Sequence, residues 1–448
     1  MTSAFARLQR SWVPGETALF FDGSDGPSDD VRAWSFLALR PSAAVCVRGS
    51  AADGAEVWWR EGDGAWGRFA GSPWEALRNL RAEGEGIPGI PFPHGVAGFA
   101  SYDAGRLIER VPTHAADDTQ VPWLLFFRFD AVWAQPLRGE ARLHTRRGTT
   151  APPLATRAHE ARPVRIGPIE ARTSPKEFEA MVVRAKAHIR AGDIFQANLS
   201  HRLECDVDGS PLDLYARLRE VNPAPFSAFF ASGPLPWDEE GFCLLSASPE
   251  RLFSLRGRRL QARPIAGTRR RDADPARDAA LVAELKADPK ERAEHVMLVD
   301  LARNDLGRVA RFGSVRVPDL LTVETYRTVH HLVSVVEAEL AEGKDAVDAL
   351  VALFPGGTIT GAPKVRAMEI IDELEPVRRA AYTGSLGWIG PDGDADFNIL
   401  IRTILLAKGR AHLQVGAGIV EDSEPRREYE ETLAKAKGLL LALGRESL

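Results

Sequence analysis

The stretch GAGIVEDSEPRREYEETLAK, residues 416–435, decides how the fold of the whole chain is interpreted. Gly416 and Gly418 flank Ala417, so that side-chain bulk is nearly absent and backbone N–H groups can approach an anion closely. Pro425 then fits the first turn of a helix, where its missing N–H costs nothing. The stretch therefore predicts an anion-binding turn that leads directly into a helix.

The predicted helix has a charged face and an apolar face. Glu428, Glu431 and Lys435 are spaced i, i+3 and i+7, so their side chains project from one side. The apolar stripe lies well away from them and consists of Leu433, Ala436, Leu440 and Leu443. Two carboxylates one turn apart can hold Mg²⁺, and a lysine beside them suits an anionic substrate. The alternative is a solvated helix face with ordinary ion pairs.

A second carboxylate is predicted on the helix DPKERAEHVMLVDLARNDLGR, residues 288–308. Glu294 shares its helix face with two leucines, one and two turns further on. A carboxylate at the head of an apolar stripe should be paired, protonated or bound to a metal, because burying it bare is expensive. Glu294 is therefore a candidate metal ligand, and a salt bridge to Arg263 or Arg303 is the alternative.

The composition excludes several classes of function. A chain of 448 residues can form two or three domains or one large two-layer domain. Its formal net charge of −5 offers no basic excess, which argues against a nucleic-acid partner. Three scattered cysteines form neither a disulfide framework nor a CxxC metal site. No apolar run has the length of a signal peptide core or a membrane span, so we expect a cytoplasmic protein without a membrane partner.

Three parts are predicted along the chain. Residues 1–145 carry short apolar runs between turn-forming residues and predict an N-terminal β-rich subdomain. Residues 146–173 lack periodicity and predict a connecting loop on the surface. At Ser174 a capping box and a proline predict the start of a helix. Residues 174–448, which alternate helical and strand patterns, form the predicted catalytic region.

Two more glycine-bearing turns are predicted in this region. The first is in RPIAGTRRR, residues 263–271, at Gly267 and Thr268. The second is in FPGGTITGAPK, residues 354–364, which superficially resembles a phosphate loop. It lacks the Lys and Ser or Thr that must follow the last glycine of a Walker A loop, so nucleoside triphosphate binding is excluded.

Single polar residues stand out in apolar surroundings. Arg402 is predicted inside an apolar strand, and a buried arginine needs an anionic partner. His331 is predicted on a strand, where a histidine is more often a hydrogen-bonded core residue than a catalyst. Glu250 is predicted in a turn between strands and, taken alone, is a solvated carboxylate. Together with the glycine turns and the helix carboxylates, these residues suit Mg²⁺-dependent chemistry on a small di-anion.

The motifs together resemble those of the chorismate-utilising enzymes, which include anthranilate, aminodeoxychorismate, isochorismate and salicylate synthases. They are SPERL, RPIAGT, DPKERAEHVMLVDLARNDLGRV, FPGGTITGAPKVRAMEIIDELEP, DFNILIRT and GAGIVEDSEPRREYEET. The resemblance covers roughly residues 174–445 in unbroken order. It implies an α+β fold: a large two-sheet antiparallel β-sandwich with outer helices and an active site between the sheets.

The resemblance also implies roles for individual residues. Glu294 and Glu431 resemble the Mg²⁺ ligands, with Glu428 in the same shell. Glu250 resembles the general acid that protonates the departing 4-hydroxyl group of chorismate. The residues that resemble the substrate cradle are Gly267, Thr268, Tyr382, Arg402, Gly416, Ala417, Gly418 and Lys435, with Arg402 on the enolpyruvyl carboxylate. Thr358 and His331 resemble residues that line the substrate ring.

Ala266 is the informative departure from the family pattern. Isochorismate and salicylate synthases carry a lysine there that activates water, and most aminodeoxychorismate synthases carry one that attacks the ring. Alanine does neither, so the resemblance implies that ammonia attacks from outside, supplied by a separate glutamine amidotransferase subunit. The PIAGT sequence is typical of anthranilate synthases, whereas FPGGTITGAPK, TVHHLVS, DFNILIRT and SYDAGR resemble the aminodeoxychorismate synthases more closely. A non-catalytic ligand sensor is a further alternative, and it predicts that the acid or the metal ligands are lost.

Overall fold

The computed structural model of the chain describes residues 3–23, 31–50, 54–81, 84–150, 163–326 and 329–448. The strands in chain order are β1 (Ala18–Asp22), β2 (Trp34–Leu39), β3 (Ala43–Ser50), β4 (Gly54–Glu61), β5 (Gly67–Arg68), β6 (Gly95–Ala100), β7 (Leu124–Phe129), β8 (Ala131–Pro136), β9 (Arg142–Thr145), β10 (Arg165–Ile166), β11 (Glu170–Ala171), β12 (Gln196–Asp208), β13 (Phe226–Ala231), β14 (Phe242–Ser248), β15 (Arg251–Arg256), β16 (Arg259–Ala262), β17 (Ile265–Arg270), β18 (Arg316–Thr325), β19 (Val329–Glu339), β20 (Gly361–Ala362), β21 (Ser385–Ile389), β22 (Ala395–Asn398), β23 (Thr403–Ala407) and β24 (Arg410–Ile419). The α-helices are α1 (Ala4–Ser11), α2 (Pro73–Leu80), α3 (Pro175–Arg190), α4 (Pro211–Val221), α5 (Pro275–Ala287), α6 (Pro289–Gly307), α7 (Ala346–Leu353), α8 (Lys364–Leu374) and α9 (Pro425–Ala442). A 3-10 turn, Gly357–Ile359, lies between α7 and α8.

The strands form two large sheets. In sheet I the order is β10-β12-β24-β23-β14-β13-β1-β2-β8-β9, with β11 and β20 also paired to β12. In sheet II the order is β17-β19-β16-β15-β22-β21-β6-β7-β3-β4-β5, with β18 also paired to β19. Neighbouring strands run antiparallel. The predicted α+β fold with two antiparallel sheets is confirmed.

The core has three layers because the strands are apolar on both faces. Residues from both sheets pack against each other in a central cluster that includes Leu19, Phe36, Phe99, Phe127, Phe230 and Trp388. The opposite face of sheet I packs on α4 and α9, and the opposite face of sheet II packs on α6 and α7. Strands covered on both sides read as continuous apolar runs, as in residues 123–127, and do not show strict alternation. The helices therefore lie outside the two sheets.

Strands from the N-terminal and C-terminal parts pair with each other in both sheets. β1 pairs with β13 in sheet I, and β6 pairs with β21 in sheet II. Within the predicted connecting loop, β10 and β11 add short strands to the edge of β12, which the sequence pattern did not indicate. Residues 151–162 of that loop lie outside the described residues. The division of the chain into three parts stays a prediction.

Local capping signals explain where the main helices begin. The side chain of Ser174 accepts the backbone N–H of Glu177, which completes the predicted capping box of α3. Asp288 caps α6, and Pro425 occupies the first turn of α9. The short helix α2 was not predicted, although its N-cap, Ser72, and the proline that follows it gave the same signal. Within the described ranges, none of the helices is long and apolar enough to cross a membrane.

Two of the places where the chain crosses between the sheets are neighbours. The chain passes from β14 in sheet I to β15 in sheet II through residues 249–250, and from β22 in sheet II to β23 in sheet I through residues 399–402. The backbone N–H of Ile399 donates to the carbonyl of Glu250 (3.0 Å), and that of Ala247 donates to the carbonyl of Arg402 (3.1 Å). These hydrogen bonds hold the two crossings side by side.

We predict that breaking the ion pair between Glu375 and Arg379 strongly destabilises the folded protein. The two residues are 3% and 2% exposed, and the guanidinium binds both carboxylate oxygens, at 2.6 and 3.0 Å. The substitution Arg379→Met leaves the buried carboxylate without its cation and should lower the free energy of unfolding by about 3 to 5 kcal/mol, measured by denaturant titration. As a control, Arg426→Met removes a surface pair with Glu430 and should cost less than about 1 kcal/mol. Equal effects of the two substitutions would contradict this assignment.

Candidate active site

The two crossings between the sheets place Glu250 and Arg402 next to each other. Arg402 was predicted inside a strand, and that prediction is wrong. It lies between β22 and β23 with a φ of 50°, in the left-handed region that non-glycine residues rarely adopt. The reason is that the chain changes sheets here, which an apolar sequence on both sides of an arginine does not reveal.

Glu250 is a buried acid with an altered proton affinity. Its side chain is 8% exposed, and the hydroxyl of Thr358 donates to its carboxylate at 2.7 Å. Burial raises the pKa of Glu250 to about 7, although the hydrogen bond from Thr358 and the charges of Lys435 and Arg402 oppose the rise. Near neutral pH the carboxyl group is therefore protonated in a large share of molecules, as a general acid requires.

Arg402 offers a cation to a ligand. Its guanidinium makes no hydrogen bond or ion pair with any residue in the described part of the chain. Burial lowers the pKa of Arg402, and the charge of Glu250 opposes that shift. A half-buried guanidinium without a carboxylate partner is costly unless an anion binds to it. This geometry suits the predicted role of Arg402 as a carboxylate-binding residue.

Sheet II contributes two side chains to the candidate site, those of Thr268 and His331, and a β-bulge at Gly267. The hydroxyl of Thr268 on β17 lies 2.9 Å from Nδ1 of His331 on β19. Burial lowers the pKa of His331 to about 4, so the imidazole is neutral near pH 7. The predicted turn at Gly267 is instead a β-bulge inside β17, where the register shifts between Ala266 and Thr268. Gly267 has a φ of +77°, which explains why glycine stands there.

Gly416 and Gly418 of β24 have no room for a side chain, because neighbouring polar groups pack directly against their Cα atoms. A Cβ atom on Gly416 would come within 2.6 Å of the Tyr382 hydroxyl and 2.8 Å of the Asn198 amide oxygen. A Cβ atom on Gly418 would come within 2.5 Å of the Gln196 amide nitrogen. The side chain of Ala417 points the other way, into the cluster under α3 and α8. Gly416 and Gly418 thus face the site, whereas the side chain of Ala417 does not.

Two site residues, Gln196 and Asn198, were missed by the sequence analysis. Nε2 of Gln196 donates to the carboxylate of Glu294 at 2.7 Å. The side-chain oxygens of Gln196 and Asn198 are buried without a hydrogen-bond partner in the described chain. The signal was present in QANLS, residues 196–200, where polar residues alternate with apolar ones and therefore share one face of a strand. Buried, unpaired amide oxygens next to a cradle are acceptors that a ligand can use.

Tyr382 is positioned by a segment with unusual backbone geometry. Ala380 and Thr383 both have positive φ values, 51° and 60°. The Thr383 hydroxyl donates to the carbonyl of Tyr382 (2.6 Å), and the guanidinium of Arg379 lies 5.5 Å from the Tyr382 ring centroid. Such strained conformations persist only where the surrounding structure holds them, and they cluster at functional sites.

The polar partners of the predicted metal ligands on α6 and α9 are visible in the structure. Glu431 pairs with Lys435 at 2.8 Å, and Nζ of Lys435 also donates to the carbonyl of Gly416 at 3.0 Å. Glu294 does not pair with either of the arginines considered from the sequence. Arg263 is bound to Glu324, and Arg303 is bound to Asp300 at 2.7 Å. That salt-bridge alternative for Glu294 is therefore excluded.

The chemistry of these carboxylates fits a divalent cation. Burial raises the pKa of both Glu294 and Glu428, and the charge of Glu431 raises each further. A cluster of acids that destabilise one another's charge is the setting in which an oxygen-binding cation such as Mg²⁺ lowers the energy. Among the described residues, however, no group of three His, Cys, Asp or Glu is arranged closely enough to hold a metal ion. The Mg²⁺ site stays a prediction.

A family model described as chorismate binding enzyme matches residues 42–441, which is most of the chain. The chain belongs to the chorismate-binding enzyme family. The resemblance drawn from the motifs is thereby confirmed, and the protein is a chorismate-utilising enzyme.

Relatives within the chorismate-binding family carry two different names. Aminodeoxychorismate synthase component 1 of Bacillus subtilis is 44% identical over 372 residues, 79% of this chain and 77% of that protein. Anthranilate synthase component 1 of Thermus thermophilus is 47% identical over 368 residues, 79% of this chain and 78% of that protein. The crystal structure of anthranilate synthase component I from Streptococcus pneumoniae superposes with a TM-score of 0.77 at 32% identity, covering 92% of each chain. Overall similarity therefore identifies the family and does not separate the two activities.

We predict that replacing Glu250, the predicted general acid, stabilises the folded protein and reduces turnover. Because folding raises the pKa of Glu250 from 4.5 to about 7, the free energy of unfolding falls as the pH rises from about 4.5 to about 7 and levels off above that. Glu250→Gln removes that loss and should raise the free energy of unfolding by about 2 kcal/mol near pH 6 and about 3 kcal/mol near pH 8.5. Denaturant titrations at both pH values measure the difference. The exposed substitution Glu430→Gln serves as the control, and a gain that is the same at both pH values would contradict the raised pKa.

Proposed function

We propose that this chorismate-utilising enzyme is an aminodeoxychorismate synthase component 1. It converts chorismate and ammonia to 4-amino-4-deoxychorismate, the precursor of p-aminobenzoate and folate, and it works in the cytoplasm. The observation that carries the proposal is the buried Glu250 carboxyl group, held by Thr358 at 2.7 Å and lying beside Arg402, a cation without an ion-pair partner in the described chain. An acid that is partly protonated at neutral pH next to a free cation suits an anionic substrate that loses a hydroxyl group.

Glu250 supplies the proton for the first bond cleavage. Hydroxide is a poor leaving group, so protonation of the 4-hydroxyl as the C–O bond breaks lowers the barrier. Arg402 binds the enolpyruvyl carboxylate and keeps carbon 4 within reach of the acid. His331 is neutral, so it lines the ring without adding a second positive charge to the site. The chain thus uses one acid and one fixed cation for the departure of the hydroxyl group.

Ala266 determines where the nucleophile comes from. An alanine side chain forms no covalent bond to the substrate and activates no water, so ammonia itself adds at carbon 2 and gives 2-amino-2-deoxyisochorismate. A second ammonia then adds at carbon 4 and displaces the first. A glutamine amidotransferase subunit supplies the ammonia, in agreement with the term component 1 in the names of both relatives.

Mg²⁺ is the proposed cofactor. Glu294 and Glu431 would hold it, with Glu428 beside them, and Gln196 would keep the Glu294 carboxylate in place through its 2.7 Å hydrogen bond. When bound, Mg²⁺ would neutralise the ring carboxylate of chorismate and withdraw charge from the ring. The raised pKa values of Glu294 and Glu428 support this assignment because a cation would offset the charge that burial penalises.

Anthranilate synthase component 1 is the second candidate. It would form the same first intermediate and then eliminate pyruvate. The PIAGT sequence and the 47% identity to the Thermus thermophilus relative favour it. The SYDAGR segment, residues 101–106, favours the first candidate, and it contacts the site indirectly. Tyr102 lies 4.8 Å from the guanidinium of Arg379, and Asp103 accepts the backbone N–H of Ala380, just before Tyr382.

We predict that the purified chain, given chorismate, Mg²⁺ and high ammonium at alkaline pH, forms 4-amino-4-deoxychorismate. Chromatography separates the products, and addition of the corresponding lyase should convert the new peak to p-aminobenzoate. The intact mass of the protein during turnover should equal that of the free chain, because Ala266 forms no covalent bond. Anthranilate with pyruvate would establish the second candidate, a protein–substrate adduct would contradict the non-covalent route, and absence of turnover would favour a ligand sensor.

Metal removal gives a separate prediction. Treatment with a chelator should abolish turnover, and added Mg²⁺ should restore it. Glu428→Gln removes one carboxylate of the predicted set and should raise the Mg²⁺ concentration needed for half-maximal activity by about tenfold or more. Glu430→Gln, on the exposed side of the same helix, should leave that concentration unchanged. Full activity of the chelator-treated protein would contradict the assignment of Glu294, Glu428 and Glu431.

A further inference from the structure

A second cavity lies behind the acid, outside the predicted substrate cradle. It is partly open to solvent, leaves about 40 Å³ for the centre of a water-sized molecule, and lies between α6, the 3-10 turn and the strands β15 and β16. Glu250 and Thr358 line one end of it, and Leu298 and Ala302 of α6 line its side. The glycines of β24, Arg402 and Lys435 do not line it. Glu250 and Thr358, which are both predicted to contact the substrate, thus also line this second space.

The charged groups around this cavity are already paired. Asp305 is bound to Lys364 at 2.7 Å, and the side chains of both are at most 9% exposed. Arg251 is bound to Asp396 at 3.1 Å, and Arg263 is bound to Glu324. A di-anion such as chorismate would find no free cation here, and an ammonium ion would find no free carboxylate except Glu250. The cavity therefore suits a small neutral molecule that can form hydrogen bonds.

The size of the cavity agrees with that conclusion. A water molecule takes about 30 Å³ in the liquid, and ammonia is of similar size. The remaining walls are mainly apolar and come from residues such as Leu298 and Ala302. A neutral amine loses less than a charged one on entering such surroundings. Ammonia that reaches the cavity meets the hydroxyl of Thr358 and the carboxyl group of Glu250 at its inner end.

We propose that this cavity holds the ammonia molecule that adds at carbon 4, separately from the ammonia that adds at carbon 2. This inference rests on the proposed function, in which Glu250 protonates the hydroxyl group on carbon 4. Glu250 and Thr358 line this end of the cavity, so a molecule held there and carbon 4 of a bound substrate would contact the same carboxyl group. The cavity is then the binding site of the second nucleophile.

The steps balance in atoms and charge. In the first amination the nitrogen lone pair of ammonia forms the bond to carbon 2, the C4–O bond breaks, and the Glu250 proton leaves with the oxygen as water. Glu250 is then a carboxylate, and the new group on carbon 2 is an ammonium. In the second step the cavity ammonia forms the bond to carbon 4, and the group on carbon 2 leaves as ammonia. The ammonium on carbon 4 transfers a proton to Glu250, which restores the acid.

The test narrows the cavity without changing the cradle. Ala302→Leu adds a branched hydrocarbon group from α6, and Ala302 is not one of the residues predicted to bind chorismate. Under the conditions of the product assay, chorismate consumption should proceed at the rate of the unaltered chain. The ratio of 4-amino-4-deoxychorismate to 2-amino-2-deoxyisochorismate should fall by about tenfold or more, because the second nucleophile is displaced from its position. Higher ammonium should partly restore the ratio.

The matched control is Ala283→Leu, an exposed position on α5 away from the cavity, which should leave the product ratio unchanged. Unchanged chorismate consumption in Ala302→Leu shows that the variant is folded. If both aminations slow equally, or if the ratio does not change, the inference is wrong while the proposed function stands. If the unaltered chain forms anthranilate, the proposed function fails first, and the second ammonia site fails with it.

Discussion

The buried ion pair between Glu375 and Arg379 holds together the segments on which the candidate site depends. Glu375 accepts hydrogen bonds from the backbone N–H and the hydroxyl of Ser200 on β12, both at 2.8 Å. Arg379 donates to the carbonyl of Ile359, at the end of the 3-10 turn that carries Thr358, at 2.9 Å. One pair of charges therefore fixes a strand of sheet I, the turn that binds Glu250 and the start of the segment that carries Tyr382. A carboxylate and a guanidinium that satisfy each other and several backbone groups can be buried, whereas either alone cannot.

Glu250 and Arg402 have fewer polar partners than Glu375 and Arg379 among the described residues, as the proposed chemistry requires. Glu250 has a single hydrogen-bond donor, Thr358, and a raised pKa, and Arg402 has no ion-pair partner in the described ranges. Burial without full pairing destabilises the folded chain, yet it keeps a proton on an acid and a cation free for a ligand. The crossings between the sheets make this arrangement possible because the backbone of each is hydrogen-bonded to the other, at 3.0 and 3.1 Å, while their side chains stay available. The pair Glu375 and Arg379 thus stabilises the segments around the site, whereas Glu250 and Arg402 are the candidates for the chemistry.

Local signals in the sequence predicted the parts of the fold that depend on local physics. The proline and capping residues at the starts of α3, α6 and α9 gave those helices, and the helical spacing placed Glu428, Glu431 and Lys435 on one helix. What failed depends on contacts between distant segments. Arg402 was placed in a strand because an apolar run hides a change of sheet, and the bulge at Gly267 was taken for a turn because both need a glycine with positive φ. Gln196 was missed, although its alternation with Asn198 and Ser200 marked a polar strand face. The partner of that face, Glu294, lies about a hundred residues away in the sequence, and periodicity carries no information on such pairings.

The similarity to both aminodeoxychorismate and anthranilate synthases has a physical explanation in this site. Both proposed reactions share the departure of the hydroxyl group and the first amination, so the same acid, cation and cradle serve either. They separate only when the intermediate either meets a second ammonia at carbon 4 or loses pyruvate. Identities of 44% and 47% to the two kinds of relative reflect the shared machinery, not the few residues that govern this last choice. In the proposed reaction, with Ala266 in place of a lysine, no side chain would bond to carbon 2, so the choice would depend on whether a neutral nucleophile is already held next to Glu250. Residues such as Ala302, which line the second cavity and are not predicted to bind chorismate, would then determine the product more strongly than the residues that bind chorismate.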